Sequence, residues 1–180
     1  MSVIKSIIRG IDWLAEWTGR TVSWLAVFIM LTMTYEVFSR FILRAPNKWI
    51  TDSTIMSGGT LFLLSTAYVM LHNANVRVDI FYAKWSAKTK ALVDLIFTFL
   101  YLFGAITVFT QQAWMYARLS ILQHEISQWG YWEPTMIPFR LAIAYGFTLL
   151  ALETLSWFIK NLFLSVTGKE LGLRAEGSSK

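Results

Sequence analysis

Four long apolar runs constrain this chain more than any other feature. They fall at about residues 21–43, 50–71, 91–117 and 137–159. Each reaches the roughly 20 residues that a helix needs to cross a bilayer core. The third is long enough to require tilt or to protrude. In hydrocarbon a spanning segment must satisfy its own backbone, which a helix does within one segment. Barrel strands are shorter and alternate apolar with polar residues, and these runs do not. The first run is too long for a cleaved signal peptide, and no small-residue cleavage site follows it. The sequence predicts an all-α integral membrane protein with four transmembrane helices.

Composition agrees with this reading. Of 180 residues, 56% are hydrophobic and only 15% charged, against about 25% charged in soluble domains. So much apolar surface does not fit inside one small soluble globule, and the low charge argues against disorder. Cysteine is absent, which removes disulfides, thiolate metal sites and a catalytic thiol.

Lys and Arg in the flanks set the orientation. One side holds Lys5, Arg9 and Arg20, then Arg77, Lys84, Lys88 and Lys90, then Lys160, Lys169, Arg174 and Lys180. The other holds Arg40, Arg44, Lys48, Arg118 and Arg140. Both termini are therefore expected in the cytoplasm. The net charge of +5 reads as topology and attraction to lipid headgroups, with no concentrated stripe for nucleic acid. Trp24, Trp85 and Trp157 mark inner edges, and Trp49, Trp114, Trp129 and Trp132 outer ones, as an interfacial aromatic belt does.

Residues 2–18 place Ile4, Ile7, Ile8, Ile11 and Leu14 at helical spacing, with Lys5, Arg9, Asp12 and Glu16 opposite. This run is too polar to span, so the expectation is an N-terminal amphipathic helix lying in the interface. Residues 1–166 form a single membrane domain. Residues 167–180 lose the apolar pattern and are expected to form a mobile cytoplasmic tail.

Chemical machinery is sparse. His72 falls at the inner end of the second run and His124 in the outer loop, so the two cannot share a haem within the membrane. No nucleophilic triad, phosphate-cradling glycine loop or metal-ligand spacing occurs, and the expectation is a non-enzyme with no cofactor and no metal. Glu36 and Arg40 lie four apart on one helix face in the outer half of the first run. They are expected to neutralise each other and pin this helix to a partner. A titrating acid of a small exporter would not carry an Arg at that spacing, which holds the carboxylate ionised. Glu153, in the inner half of the fourth run, has no partner four residues away. It requires either a cation from another subunit or protonation.

Gly58 and Gly59 belong to a small-residue stretch that allows close helix approach. Packing within the chain and docking on another protein both fit it. The outer loop from Ile126 to Pro138 concentrates Trp129, Tyr131, Trp132 and Glu133 between Ile126 and Pro134. It is either an interfacial belt or a contact surface for an extracytoplasmic partner.

The order of these features resembles the small membrane subunit, DctQ-like, of tripartite ATP-independent periplasmic (TRAP) transporters. The resemblance rests on SRFILRAPNKWITDS, with Arg40, Phe41, Pro46, Trp49 and Asp52, and on NANVRVDIFY, with Val76, Arg77, Val78 and Asp79. Asn75 stands where that family often has His. It covers about residues 20–160. The resemblance implies a scaffold subunit in the bacterial inner membrane, beside a large M-type transport subunit and a periplasmic substrate-binding protein. Such complexes import an organic acid, commonly a carboxylate, with sodium. It also makes Trp49, Asp52, Arg77 and Asp79 candidates for subunit or helix pairing. Two other classes fit four apolar runs: a membrane anchor of a respiratory redox enzyme, and a stand-alone small four-helix transporter.

Overall fold

The computed structural model describes residues 2–72, 74, 93, 96–97, 99–128 and 132–167. Among them the regular structure is helical: α1 (Ser2–Phe41), α2 (Lys48–Leu71), α3 (Thr107–Gln123) and α4 (Ile137–Thr167). A π-helical stretch, Tyr101–Ile106, leads into α3. α1 packs on α2, α2 on α4, and α4 on α3.

Among the described residues, three helices are long and apolar enough to cross a membrane: Lys5–Phe41, Lys48–Leu71 and Ile137–Phe163. The expectation of four spans is thus met at three places. The third run, 91–117, lies partly outside the described residues, and its described part is helical and continues to Gln123.

A separate interfacial helix at 2–18 is not confirmed. The helix runs unbroken from Ser2 to Phe41. At 1.5 Å per residue this is about 60 Å, about twice the thickness of a hydrocarbon core. No proline interrupts it, and the small Gly19 is needed for packing rather than for a bend: a Cβ there would overlap the Tyr68 ring of α2. The apolar face of the N-terminal part is partly spent within the chain, with Ile8 and Ala15 buried. Ala15 joins Ala67, Leu71 and Leu149 in one cluster across α1, α2 and α4.

α1 stops where its last carbonyls find other donors. Arg44 takes a left-handed φ of 54°, and the Ala45 amide donates to the Ser39 carbonyl at 3.1 Å. The Ser39 hydroxyl donates in turn to the Ala45 carbonyl at 2.6 Å. Pro46 then prevents helix continuation. His124, at φ 48°, ends α3 in the same left-handed manner. Beyond it the chain doubles back through an isolated antiparallel bridge, Ile126 to Thr135.

Small residues bring the inner helices together, as expected where lipid removes the hydrophobic drive. Ala113 and Ala117 of α3 meet Ala144 of α4. A Cβ on Gly59 would lie 2.9 Å from the Phe139 ring of α4. Gly58 instead faces open space, so the two neighbouring glycines present different parts of the α2 surface. Large apolar side chains cover the outer surface, Trp24, Leu31 and Phe41 among them at 60% exposure or more. A bilayer or a membrane partner covers such a surface without cost; water does not.

Candidate functional site

Polar side chains gather at the two ends of the helices. At one end stand the first part of α1 and the last turns of α2 and α4. Both Asp12 oxygens accept from the Lys160 ammonium at 2.9 Å, and Ser156 donates to Asp12 at 3.3 Å. Glu16 is shared between Arg20, at 2.7 Å, and the His72 ring, at 2.8 Å. His72 also caps α2, its amide donating to the Tyr68 carbonyl at 3.2 Å. This end gathers the sequence-distant partners that a common side for N-terminal and C-terminal segments requires.

Glu153 lies beside this group, 1% exposed, with one carboxylate oxygen unpartnered. Its burial is supplied by this chain. Of the two alternatives for Glu153, a cation from another subunit or protonation, the structure adds only that the carboxyl is enclosed within this chain, near Asp12 and Lys160.

At the opposite end, Arg40 donates to one Glu36 oxygen through Nη2 at 2.7 Å and Nε at 3.2 Å. The other oxygen accepts the Asn47 amide at 3.3 Å. The Asn47 side chain donates to Ser39 at 2.9 Å. Glu36 thus ties α1 to the turn before α2, as well as neutralising Arg40. Asp52 is buried at 1% exposure, and the Ser127 hydroxyl donates to it at 2.7 Å. The tie holds the outer loop down on the start of α2.

That loop has its own clasp. Ser127 donates its amide to the Pro134 carbonyl, and Met136 to Glu125, both at 2.8 Å. Arg140, early in α4, grips Glu125 at 2.7 and 3.1 Å, and its guanidinium lies 5.6 Å from the Tyr116 ring centroid. The Arg140 hydrogen bonds hold the Glu125 carboxyl below its ordinary value, against the opposing effect of burial.

Of the residues expected in the loop, Trp132 and Glu133 are exposed, with Glu133 in the left-handed region at φ 51°. Trp129 and Tyr131 lie outside the described residues, as do Arg77 and Asp79. Trp49 is 36% exposed beside the buried Ile50. The sequence reading missed Asp12, Glu125, Ser127, Arg140 and Lys160 as structural ties. Only charge in an apolar flank could have flagged the four charged ones, and nothing local marks Ser127, because each side-chain partner is at least 15 residues away.

Among the described residues no three His, Asp or Glu converge as a metal site would require. Most of the polar groups described hold helices and turns together, while Glu153 and Thr54 each keep a buried oxygen unpartnered. The profile of the family described as "Tripartite ATP-independent periplasmic transporters, DctQ component" matches residues 29–164. No curated protein gives a significant match. The matched segment includes the Glu36–Arg40 pair, Asp52, the clasped outer loop and most of α4, and the chain belongs to the DctQ component family of these tripartite transporters.

Proposed function

We propose that this chain is the small, non-catalytic scaffold subunit of a sodium-coupled TRAP transporter that imports an organic acid, most simply a carboxylate. In this reading it partners the large M-type transport subunit, and a periplasmic substrate-binding protein delivers the acid. It resides in the inner membrane with both termini cytoplasmic. The DctQ match over residues 29–164 carries the reading.

The polar ties support the scaffold role. Glu36, Asp52 and Asp12 each have partners in this chain. A carrier needs polar groups left free to bind and release its cargo, and among the described residues α1, α2 and α4 are continuous, without the interrupted ends that build transport sites. The exposed apolar faces of α1 supply surface for lipid and for the large subunit. Trp129, Tyr131, Trp132 and Glu133 supply the proposed contact with the binding protein.

Co-expression tests the partnership. The large membrane subunit encoded beside this chain co-purifies with it as one complex that survives size-exclusion chromatography. Separate elution of the two chains under mild detergent contradicts the proposal.

A further inference from the structure

The first turns of α1 spend their acids inward and leave cations outward. Asp12 is taken by Lys160, and Glu16 by Arg20 and His72. Ile8 and Ala15 are buried against the rest of the chain. Arg9, Trp13 and Trp17 follow one another at four-residue spacing along the exposed side of the same helix. Trp13 and Trp17 stack with ring centroids 6.5 Å apart, yet remain 64% and 57% exposed. Lys5 stands one turn before Arg9, and among the described residues neither cation has a carboxylate partner. Arg20, by contrast, is neutralised by Glu16 and adds no free charge.

Helix length places this face at the membrane boundary. At about 60 Å, α1 exceeds even the roughly 45 Å of a bilayer with its headgroups. Its first turns therefore leave the hydrocarbon and pass through the headgroup layer. The exposed side is also continuous with the span: Trp24, Val27 and Leu31 carry it onward, all exposed. Read from the span toward the N-terminus, the order is aliphatic, then indole, then cation. That is the order of acyl chain, headgroup boundary and phosphate in one leaflet. Stacked indoles on a water-facing surface are costly, and among headgroups they are not.

We infer that this face of α1 binds an anionic phospholipid of the inner leaflet. The acyl chains lie against Trp24 and Val27, the Trp13 and Trp17 rings meet the headgroup boundary, and the phosphate rests on Arg9 with Lys5 beside it. Cations next to a membrane span attract anionic headgroups in this way. The inference uses the orientation proposed above but needs neither the large subunit nor the transported acid.

Native mass spectrometry of the full chain, equilibrated with a mixture of phosphatidylglycerol and phosphatidylcholine, tests it. The wild type retains phosphatidylglycerol in preference to phosphatidylcholine. Lys5→Gln with Arg9→Gln lowers that preference about twenty-five-fold, at about fivefold per cation. Arg44→Gln with Arg118→Gln removes the same charge from exposed positions at the opposite end and leaves the preference as it was. Trp13→Ala with Trp17→Ala releases the retained lipid while helix content by circular dichroism is unchanged. Equal retention of both lipids by the wild type overturns the inference, as does an unaltered preference in the Lys5 and Arg9 variant. An equal fall in the Arg44 and Arg118 variant also overturns it, because net charge alone then sets the preference. Undiminished retention without the two indoles, or retention of soluble glycerol phosphate as firmly as the lipid, overturns it too. Loss of the preference in the complex with the large subunit overturns it in favour of a subunit contact on this face. Co-purification of the two subunits is a separate readout, so failure here leaves the proposed partnership standing.

Discussion

Lys160 of α4 holds both carboxylate oxygens of Asp12 of α1 at 2.9 Å, joining positions 148 residues apart. The contact sits where α1 extends past the length a bilayer needs, and it makes that extension part of the bundle. An in-plane helix would instead have turned away from α4.

Removing either partner leaves a half-buried charge. Lys160→Met is expected to destabilise the protein by about 2 kcal/mol, within the range for charged hydrogen bonds. Asp12→Asn with Lys160→Met should recover part of that loss. Thermal unfolding in detergent measures both. Unchanged unfolding of Lys160→Met would show that the N-terminal part of α1 does not depend on α4.

The Glu36–Arg40 pair obeys the same logic at the other end, with the Asn47 amide as a third member. Arg40→Gln or Glu36→Gln alone should lower the yield of folded protein more than the double substitution, since each single change strands a polar group. Fluorescence-detected chromatography of the four forms gives the cycle. Additive losses would mean that the two residues act independently.

How far could these ties be read in advance? Glu36 and Arg40 were legible because four-residue spacing on a helix is local information. The extent of α2 and the start of α4 were legible because hydrocarbon thickness and Pro138 impose them, whereas α4 continues to Thr167, past the expected end at 159. The continuity of α1 was not. A polar face with Ile8 opposite suits a helix on the membrane surface and equally one packed on its own neighbours, and only Ala15 meeting Ala67 and Leu149 separates the two. Asp52 stood out in a motif, but its partner Ser127 lies 75 residues on. Glu153 was visible as an intramembrane acid, while its burial depended on how α1 and α4 meet.

Acid should loosen the outer loop through Glu125. Its carboxyl is held below the ordinary value of 4.5 by Arg140. A depressed folded value means the unfolded chain takes up its proton first as the pH falls. The stabilisation is therefore complete above the ordinary value and is lost as the pH drops through the lower, folded one. Glu125→Gln should be less stable than wild type at neutral pH and should show a smaller loss on acidification. Thermal unfolding followed from neutral pH downward checks this. Parallel acid limbs for the two proteins would rule out Glu125 as a contributor.

Gly58 and Gly59 separate internal packing from external contact. Gly59→Leu drives a side chain into Phe139 and should cost about 1–3 kcal/mol by overpacking. Gly58→Leu meets open space, so the isolated chain should unfold as before. If this side of α2 receives the large subunit, Gly58→Leu will lower co-purification alone. Equal stability losses at the two glycines would contradict the packing described.

We propose that this chain serves transport as a required scaffold and carries no cargo itself. Sodium-driven organic-acid uptake in vesicles tests it most directly, with the large subunit and binding protein supplied and this chain present, absent or alone. Uptake should need all three components and should be nil with this chain alone. Undiminished uptake in its absence, or flux through it alone, would contradict the account.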